Sequence, residues 1–137
     1  MNLKGEIFMT LIQIDLIEGR TDSEIKLLLD TIHEVLVETF EIPINDRFQI
    51  LHQHSANEMI IEDTGLGFKR SQNVVVLSIT SRQRKEKQKV DFYQKVVQAL
   101  TNRCGIAPED IMISITINEQ ADWSFGFGRA QFLTGEL

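Results

Sequence analysis

The chain repeats itself, and no other feature restricts its fold as strongly. Arg20, Leu36, Ile42 and Asp46 recur at one constant spacing as Arg84, Leu100, Ile106 and Asp110. Pro43 and Pro108 miss that register by one position, and the strands that open the two halves need a one-residue shift. Each half reads as strand, amphipathic helix, strand. A crossover helix is the connection that parallel neighbouring strands require, and its handedness is fixed. The reading is an α+β fold in which a duplicated β-α-β unit, at about 10–54 and 74–117, forms a four-stranded mixed sheet with two helices on one face. The other face is expected to be apolar and uncovered, which implies burial against further copies of the chain.

Local patterns supply the elements. In 9–20, Ile12, Ile14 and Leu16 alternate with Gln13 and Asp15, the period of a strand with one buried face. Thr21-Asp22-Ser23-Glu24 has the form of a capping box, with Asp22 as the other candidate cap. The helix that follows runs to about residue 40 on a stripe of Ile25, Leu28, Leu29, Ile32, Val35 and Leu36. Pro43 stops it, because the residue before a proline is pushed out of the helical region. A turn at 44–47 leads into a strand at about 48–54. Residues 55–73 read as an irregular excursion with a short extended piece at 59–62 and a Gly65-Leu66-Gly67 turn. A nearly continuous apolar run at 74–79 is a buried strand. The second helix places Val90, Tyr93, Val96, Val97 and Leu100 on one face and stops at Gly105. An alternating strand follows at 111–117, and a tail at 121–137, rich in glycine and aromatics, reads as a hairpin or flap. Residues 1–8 are an N-terminal extension without the apolar core of a signal peptide, and 9–137 form one domain.

Composition removes several functions. With 137 residues the chain can bury a core without staples, and its net charge of −6 leaves no basic stripe for a nucleic acid. The one cysteine, Cys104, excludes an internal disulfide framework and suits a reducing cytoplasm. No apolar run approaches the roughly 18–20 residues that span a membrane. Arg82, Arg84, Lys85, Lys87 and Lys89 make a local basic spot that fits a small anion.

Arg82 and Arg84 stand where the second half's strand hands over to its helix. Cations there oppose the helix dipole by about 0.3–1 kcal/mol each, a cost that a bound carboxylate would reverse. Solvated arginines paired with nearby acids are the plainer reading. Asp46 is a turn residue or cap by position, or a carboxylate that activates water or holds the arginines. Trp123, Phe125, Phe127 and Phe132 are core, an oligomer seam or a pocket wall. His52 and His54 share a strand face with no third ligand at suitable spacing, so polar edge residues are expected and no metal. His33 carries no signal. Cys104 falls on Phe40 in the repeat and is expected to be buried and inert. Asp63-Thr64-Gly65 lacks the apolar strand of an aspartic protease triplet, and Gly126-Phe127-Gly128 lacks the strand-to-helix setting of a dinucleotide loop.

Taken together, IDLIEGRTDSE, PINDRFQ, EDTGLGF, SRQRKEKQKVDFY, CGIAPEDI and ADWSFGFGRAQFLTGEL resemble the tautomerase superfamily, most closely its malonate semialdehyde decarboxylase branch. The resemblance spans essentially all of 10–137. It implies a homotrimer acting on a small oxo acid without cofactor or metal, by decarboxylation, enol–keto tautomerisation or hydration. In that family an N-terminal proline amine polarises the substrate carbonyl as an ammonium or acts as a base. The family's water-activating carboxylate matches Asp46, and its carboxylate-binding arginines match Arg82 and Arg84. Its hydrophobic wall matches Trp123, Phe125, Phe132 and Leu137. The proline position is Thr10, with residues 1–9 before it, so its nitrogen is an amide in the continuous chain. Either translation effectively starts at Met9 and methionine removal frees a Thr10 amine, or the amine chemistry is lost. In the second case the chain is a carboxylate-binding protein, or a hydratase that relies on Asp46 and water.

Overall fold

The computed structural model describes residues 9–137; the extension read at 1–8 lies outside them. The elements are β1 (Thr10–Ile17), α1 (Asp22–Phe40), β2 (Gln49–His54), β3 (Val75–Ser81), α2 (Glu86–Cys104), β4 (Ile111–Ile117) and a short α3 (Gln131–Thr134). The sheet runs β2-β1-β3-β4. The outer pairs are parallel and the central pair β1–β3 is antiparallel, as the duplicated unit requires.

Each helix starts and stops for a local reason. Thr21 Oγ1 accepts from Glu24 N–H at 3.2 Å, and Thr21 N–H donates to Glu24 Oε1 at 3.0 Å, closing the expected capping box. Gly105 ends α2 at φ 69°, a left-handed conformation that suits a residue without Cβ. Between helices and sheet lie Ile12, Ile14 and Leu16 of β1, Val75, Leu77 and Ile79 of β3, and Leu28, Ile32, Leu36 and Phe40 of α1. From α2 come Phe92, Val96 and Leu100. Val90 is 42 % exposed while Phe92 is fully buried, so the inner face of α2 is turned toward Phe92 relative to the expected stripe. The ring of Phe92 meets that of Phe40 at 5.5 Å, a contact between the two helices that periodicity within one helix cannot reveal.

The short extended piece at 59–62 begins at Met59 in extended conformation and joins no strand of the sheet. Two further expectations change. The tail is a single antiparallel bridge between Gly126 and Arg129 followed by α3, not a two-stranded hairpin. Its shape comes from Gln131, which accepts from Phe125 N–H and donates to Gly126 C=O, both at 3.0 Å, replacing a ladder with one side chain. The open face of the sheet is mixed, not apolar. Ile50 and Met112 are exposed there, but Gln13 and Ser78 pair across its centre. His54 Nε2 lies 2.7 Å from Asp15 Oδ1, and His52 Nδ1 lies 3.4 Å from the same oxygen. No described helix is long and apolar enough to cross a membrane.

Candidate active site

Thr10 opens β1, is 1 % exposed and pairs with Ser81 at the end of β3. Its hydroxyl has no hydrogen-bond partner among the described residues. Met9 before it is buried at φ 129°, a strained value for a residue with a side chain, and its carbonyl accepts from Arg82 N–H at 3.3 Å. The start of β1 is thereby tied to the crossover that carries the arginines.

Asp46 comes from a β-turn after α1, closed by Asp46 N–H donating to Pro43 C=O at 3.0 Å. It is 4 % exposed, and neither carboxylate oxygen has a hydrogen-bond partner among the described residues. Burial pushes its pKa up to about 6, and the charge of Arg84 opposes that rise. Buried carboxylates in folded proteins are nearly always satisfied, so one without a partner among the described residues calls for an explanation.

Arg84 is buried, donates to Gln83 C=O at 3.0 Å, and stacks over the Phe40 ring at 5.3 Å. Burial holds its pKa below the usual guanidinium value, Asp46 acts the other way, and Arg82 adds to the lowering. Arg82 is half-buried, donates to Asn118 C=O at 2.8 Å, and lies 5.9 Å over the Phe132 ring. Both arginines border an open cleft of about 550 Å³ with Phe40, Glu41, Gln83, Lys85 and Gln88. Asp46 borders a smaller cavity of about 240 Å³ with Met9, Phe48, Phe125, Gln131 and Leu137. The Asp46–Arg84 charge interaction links the two.

The aromatic wall is a stack of three rings, Trp123, Phe125 and Phe132. Phe125 and Leu137 face the small cavity. Trp123 stacks on Phe125 at 5.8 Å, and the buried Phe132 meets Phe125 edge-on at 5.5 Å. Phe127 is 93 % exposed and belongs to neither core nor wall.

A second pocket, of about 380 Å³, serves as an internal control. Its Glu18, Arg20, Glu24, Cys104 and Gly105 hold the repeat positions of Arg82, Arg84, Gln88, Phe40 and Glu41. Here Arg20 is spent on structure, donating to Asn73 C=O at 2.8 Å. Asp110, the counterpart of Asp46, is buried and accepts from Ser71 N–H at 2.6 Å and from the Ser71 hydroxyl. With Glu18 in place of the first arginine, this pocket offers no paired cations for a carboxylate. Cys104 is half-buried here instead of sealed in the core.

Two supporting residues carry no spacing signal. His33, on α1, is buried with Nε2 2.6 Å from Ile44 O, which pins the turn that presents Asp46. Asn118 follows β4 and bonds both Arg82 and Trp123. Elsewhere, Asp63 caps a loop by accepting from Gly67 and Gly65 N–H, which lowers its pKa and gives the DTG triplet a structural role. Among the described residues no group of three His, Cys, Asp or Glu side chains could hold a metal ion.

Comparison with known proteins matches this chain to two family models, each described as a tautomerase enzyme, over residues 46–126 and 11–69. It is 56 % identical over 129 residues to "Probable tautomerase YrdN" of Bacillus subtilis (strain 168), covering 94 % of this chain and 100 % of that one. A crystal structure of malonate semialdehyde decarboxylase, described as a basis for decarboxylase and hydratase activities, superposes with TM-score 0.89 at 52 % identity, covering 93 % of this chain and 98 % of that one. A malonate semialdehyde decarboxylase inhibited by 3-bromopropiolate superposes with TM-score 0.87 at 42 % identity, covering 93 % and 97 %.

Proposed function

The chain belongs to the tautomerase family, and from that premise we propose that it is a cofactor-independent enzyme acting on a small oxo acid. The reaction is decarboxylation of a 3-oxo acid of the malonate semialdehyde type, with enol–keto tautomerisation or hydration as related activities. The observation that carries this reading is Asp46: buried, with both oxygens unpartnered among the described residues, and set against the charge of Arg84.

Arg82 and Arg84 hold the substrate carboxylate and draw electron density from its carbonyl. Asp46, ionised above about pH 6, takes a proton from a water that adds to the carbonyl carbon, or steadies a cation at the start of β1. In decarboxylation the bond between the carboxyl carbon and its neighbour breaks and carbon dioxide leaves. The electron pair moves into the polarised carbonyl, and the resulting enol takes a proton at carbon. Phe125, Trp123, Phe132 and Leu137 keep that centre poor in water. Subunits assemble as a homotrimer that covers the open sheet face.

Thr10 decides the role of the amine. Within the chain its nitrogen is an amide, neither base nor cation at neutral pH. A chain beginning at Thr10 presents an α-amine with an ordinary pKa of about 7.7–8.0, which neighbouring arginines lower further. The test is turnover of malonate semialdehyde and of enolisable 2-oxo acids by the full chain, by a chain beginning at Thr10, and by that chain with Thr10→Pro. Activity rising across the series supports amine chemistry; no activity in any of them overturns the enzyme reading.

A second reading, favoured by the amide character of Thr10, is a carboxylate-binding protein without amine chemistry. Calorimetric binding of an oxo acid by the full chain, lost on joint Arg82→Ala and Arg84→Ala, together with no turnover, selects it.

A further inference from the structure

Gln131 ties the tail down beside the carboxylate. It lies buried at the start of α3, and its side-chain amide reaches back to the turn at 125–129. Oε1 accepts from Phe125 N–H and Nε2 donates to Gly126 C=O, both at 3.0 Å. Gln131, Phe125 and Asp46 border one cavity of about 240 Å³. The Phe125 ring meets Phe48 at 6.1 Å, Trp123 at 5.8 Å and Phe132 at 5.5 Å. The turn itself offers little to hold that ring in place. Gly126, Phe127 and Gly128 all have positive φ, Phe127 is exposed, and the bridge across the turn is Arg129 N–H to Gly126 C=O at 3.3 Å.

We infer that Gln131 is a positioning residue whose side-chain amide holds Phe125 over the Asp46 cavity and so keeps bulk water from the carboxylate. This rests on the proposed oxo-acid activity, in which Asp46 acts on one placed water and not on solvent at large. The ring contacts of Phe125 tolerate sliding. Two hydrogen bonds that bracket Phe125 and Gly126 are directional, and they fix both the place and the orientation of the segment that carries the ring. A side-chain substitution at 131 breaks these two bonds and leaves the backbone bond from Leu137 N–H to Gln131 C=O in place. The ring then moves off the cavity, water enters, and the burial that raises the Asp46 pKa is relieved. The charge acting on Asp46 is that of Arg84, on the crossover to α2, with Arg82 acting in turn on Arg84. The substitution alters neither arginine.

The test is the titration of the Asp46 carboxyl, followed by carbon-13 NMR in the full chain and assigned with Asp46→Asn. The wild-type midpoint is expected at about 6. Gln131→Leu, which removes both bonds, is expected to lower it by about one pH unit. Phe125→Ala is expected to lower it likewise. Adding Gln131→Leu to Phe125→Ala is expected to move it no further, because Gln131 acts through Phe125. The acid limb of kcat/KM for a 3-oxo acid is expected to follow the same order. An unmoved midpoint in Gln131→Leu overturns the proposal, even where the variant melts earlier, and so does a double variant whose shift is the sum of the two. Should Gln131→Leu fail to fold, as judged by circular dichroism, Gln131→Met is read by the same criteria. A wild-type chain that turns over no oxo acid defeats the functional reading, and the titration still decides whether Gln131 keeps water from Asp46.

Discussion

Asp46 and Asp110 hold the same place in the two repeats and meet opposite fates. Both are buried; Asp110 is satisfied by the backbone and hydroxyl of Ser71, whereas Asp46 has no partner for either oxygen among the described residues. Ahead of β3 the 55–73 excursion folds back and supplies Ser71 to Asp110, while at the start of β1 Asp46 faces a cavity with Phe125 and Leu137. Duplication thus yields one carboxylate left open toward a cavity and one spent on a structural joint.

That unsatisfied carboxylate has a measurable cost. Its folded pKa of about 6 lies above its ordinary 3.8, so between those values the folded state keeps a proton that the unfolded state has shed. The stability the group contributes is present below about pH 4 and is lost as pH rises through 6. Asp46→Asn removes the loss. After allowance for solvent screening, the variant is expected to be more stable by about 1–2 kcal/mol at pH 7 and unchanged near pH 4. Denaturant melts at the two pH values check this, with activity at pH 7 falling at least a hundredfold.

The same carboxylate sets a pH limb. Activity is expected to rise through about pH 6 as Asp46 ionises, and to fall below it. Arg84→Ala removes the cation that favours the ionised form, so burial acts unopposed and the limb moves to higher pH. A kcat/KM profile of the wild type and of Arg84→Ala tests this; an unmoved limb would separate the two residues.

The structural pocket offers the control. Arg20→Ala loses the bond to Asn73 C=O and is expected to cost about 1 kcal/mol of stability, with KM and kcat of the oxo-acid reaction unchanged. A thermal melt beside the kinetic assay distinguishes this from any part of Arg20 in the reaction.

What the sequence made legible follows from the range of each interaction. Thr21 and Glu24 are three residues apart and Gly105 acts on its own turn, so caps and helix ends were readable. The mixed sheet of two parallel β-α-β pairs followed from duplication, and Asp46, Arg82 and Arg84 were visible as charges at element ends. On α2 the stripe of Tyr93, Val96, Val97 and Leu100 does face the core, but Val90 does not and Phe92 was missed, because Phe92 packs on Phe40 of the other helix. The tail depends on Gln131 replacing a ladder, which no alternation announces. His33 and Asn118 support the site through single bonds to residues 11 and 36 positions away in sequence, with nothing periodic to mark them. The polar character of the open face appears only once the register sets His52 opposite Asp15.

The open face also carries the last prediction. Val76, on central strand β3, points away from the helices, since its neighbours Val75 and Leu77 are fully buried in the core. On the same face, Ile50 and Met112 are exposed at 43 % and 41 % on the outer strands. Apolar groups on both outer strands and at the centre make a surface that association would cover. A charge at position 76 leaves the helix–sheet core untouched but must be desolvated if three copies close over the sheet. Val76→Glu is expected to give a folded monomer where the wild type sediments as a trimer. Sedimentation velocity with circular dichroism reads both properties, and a trimeric Val76→Glu would mean that the subunits meet through some other surface.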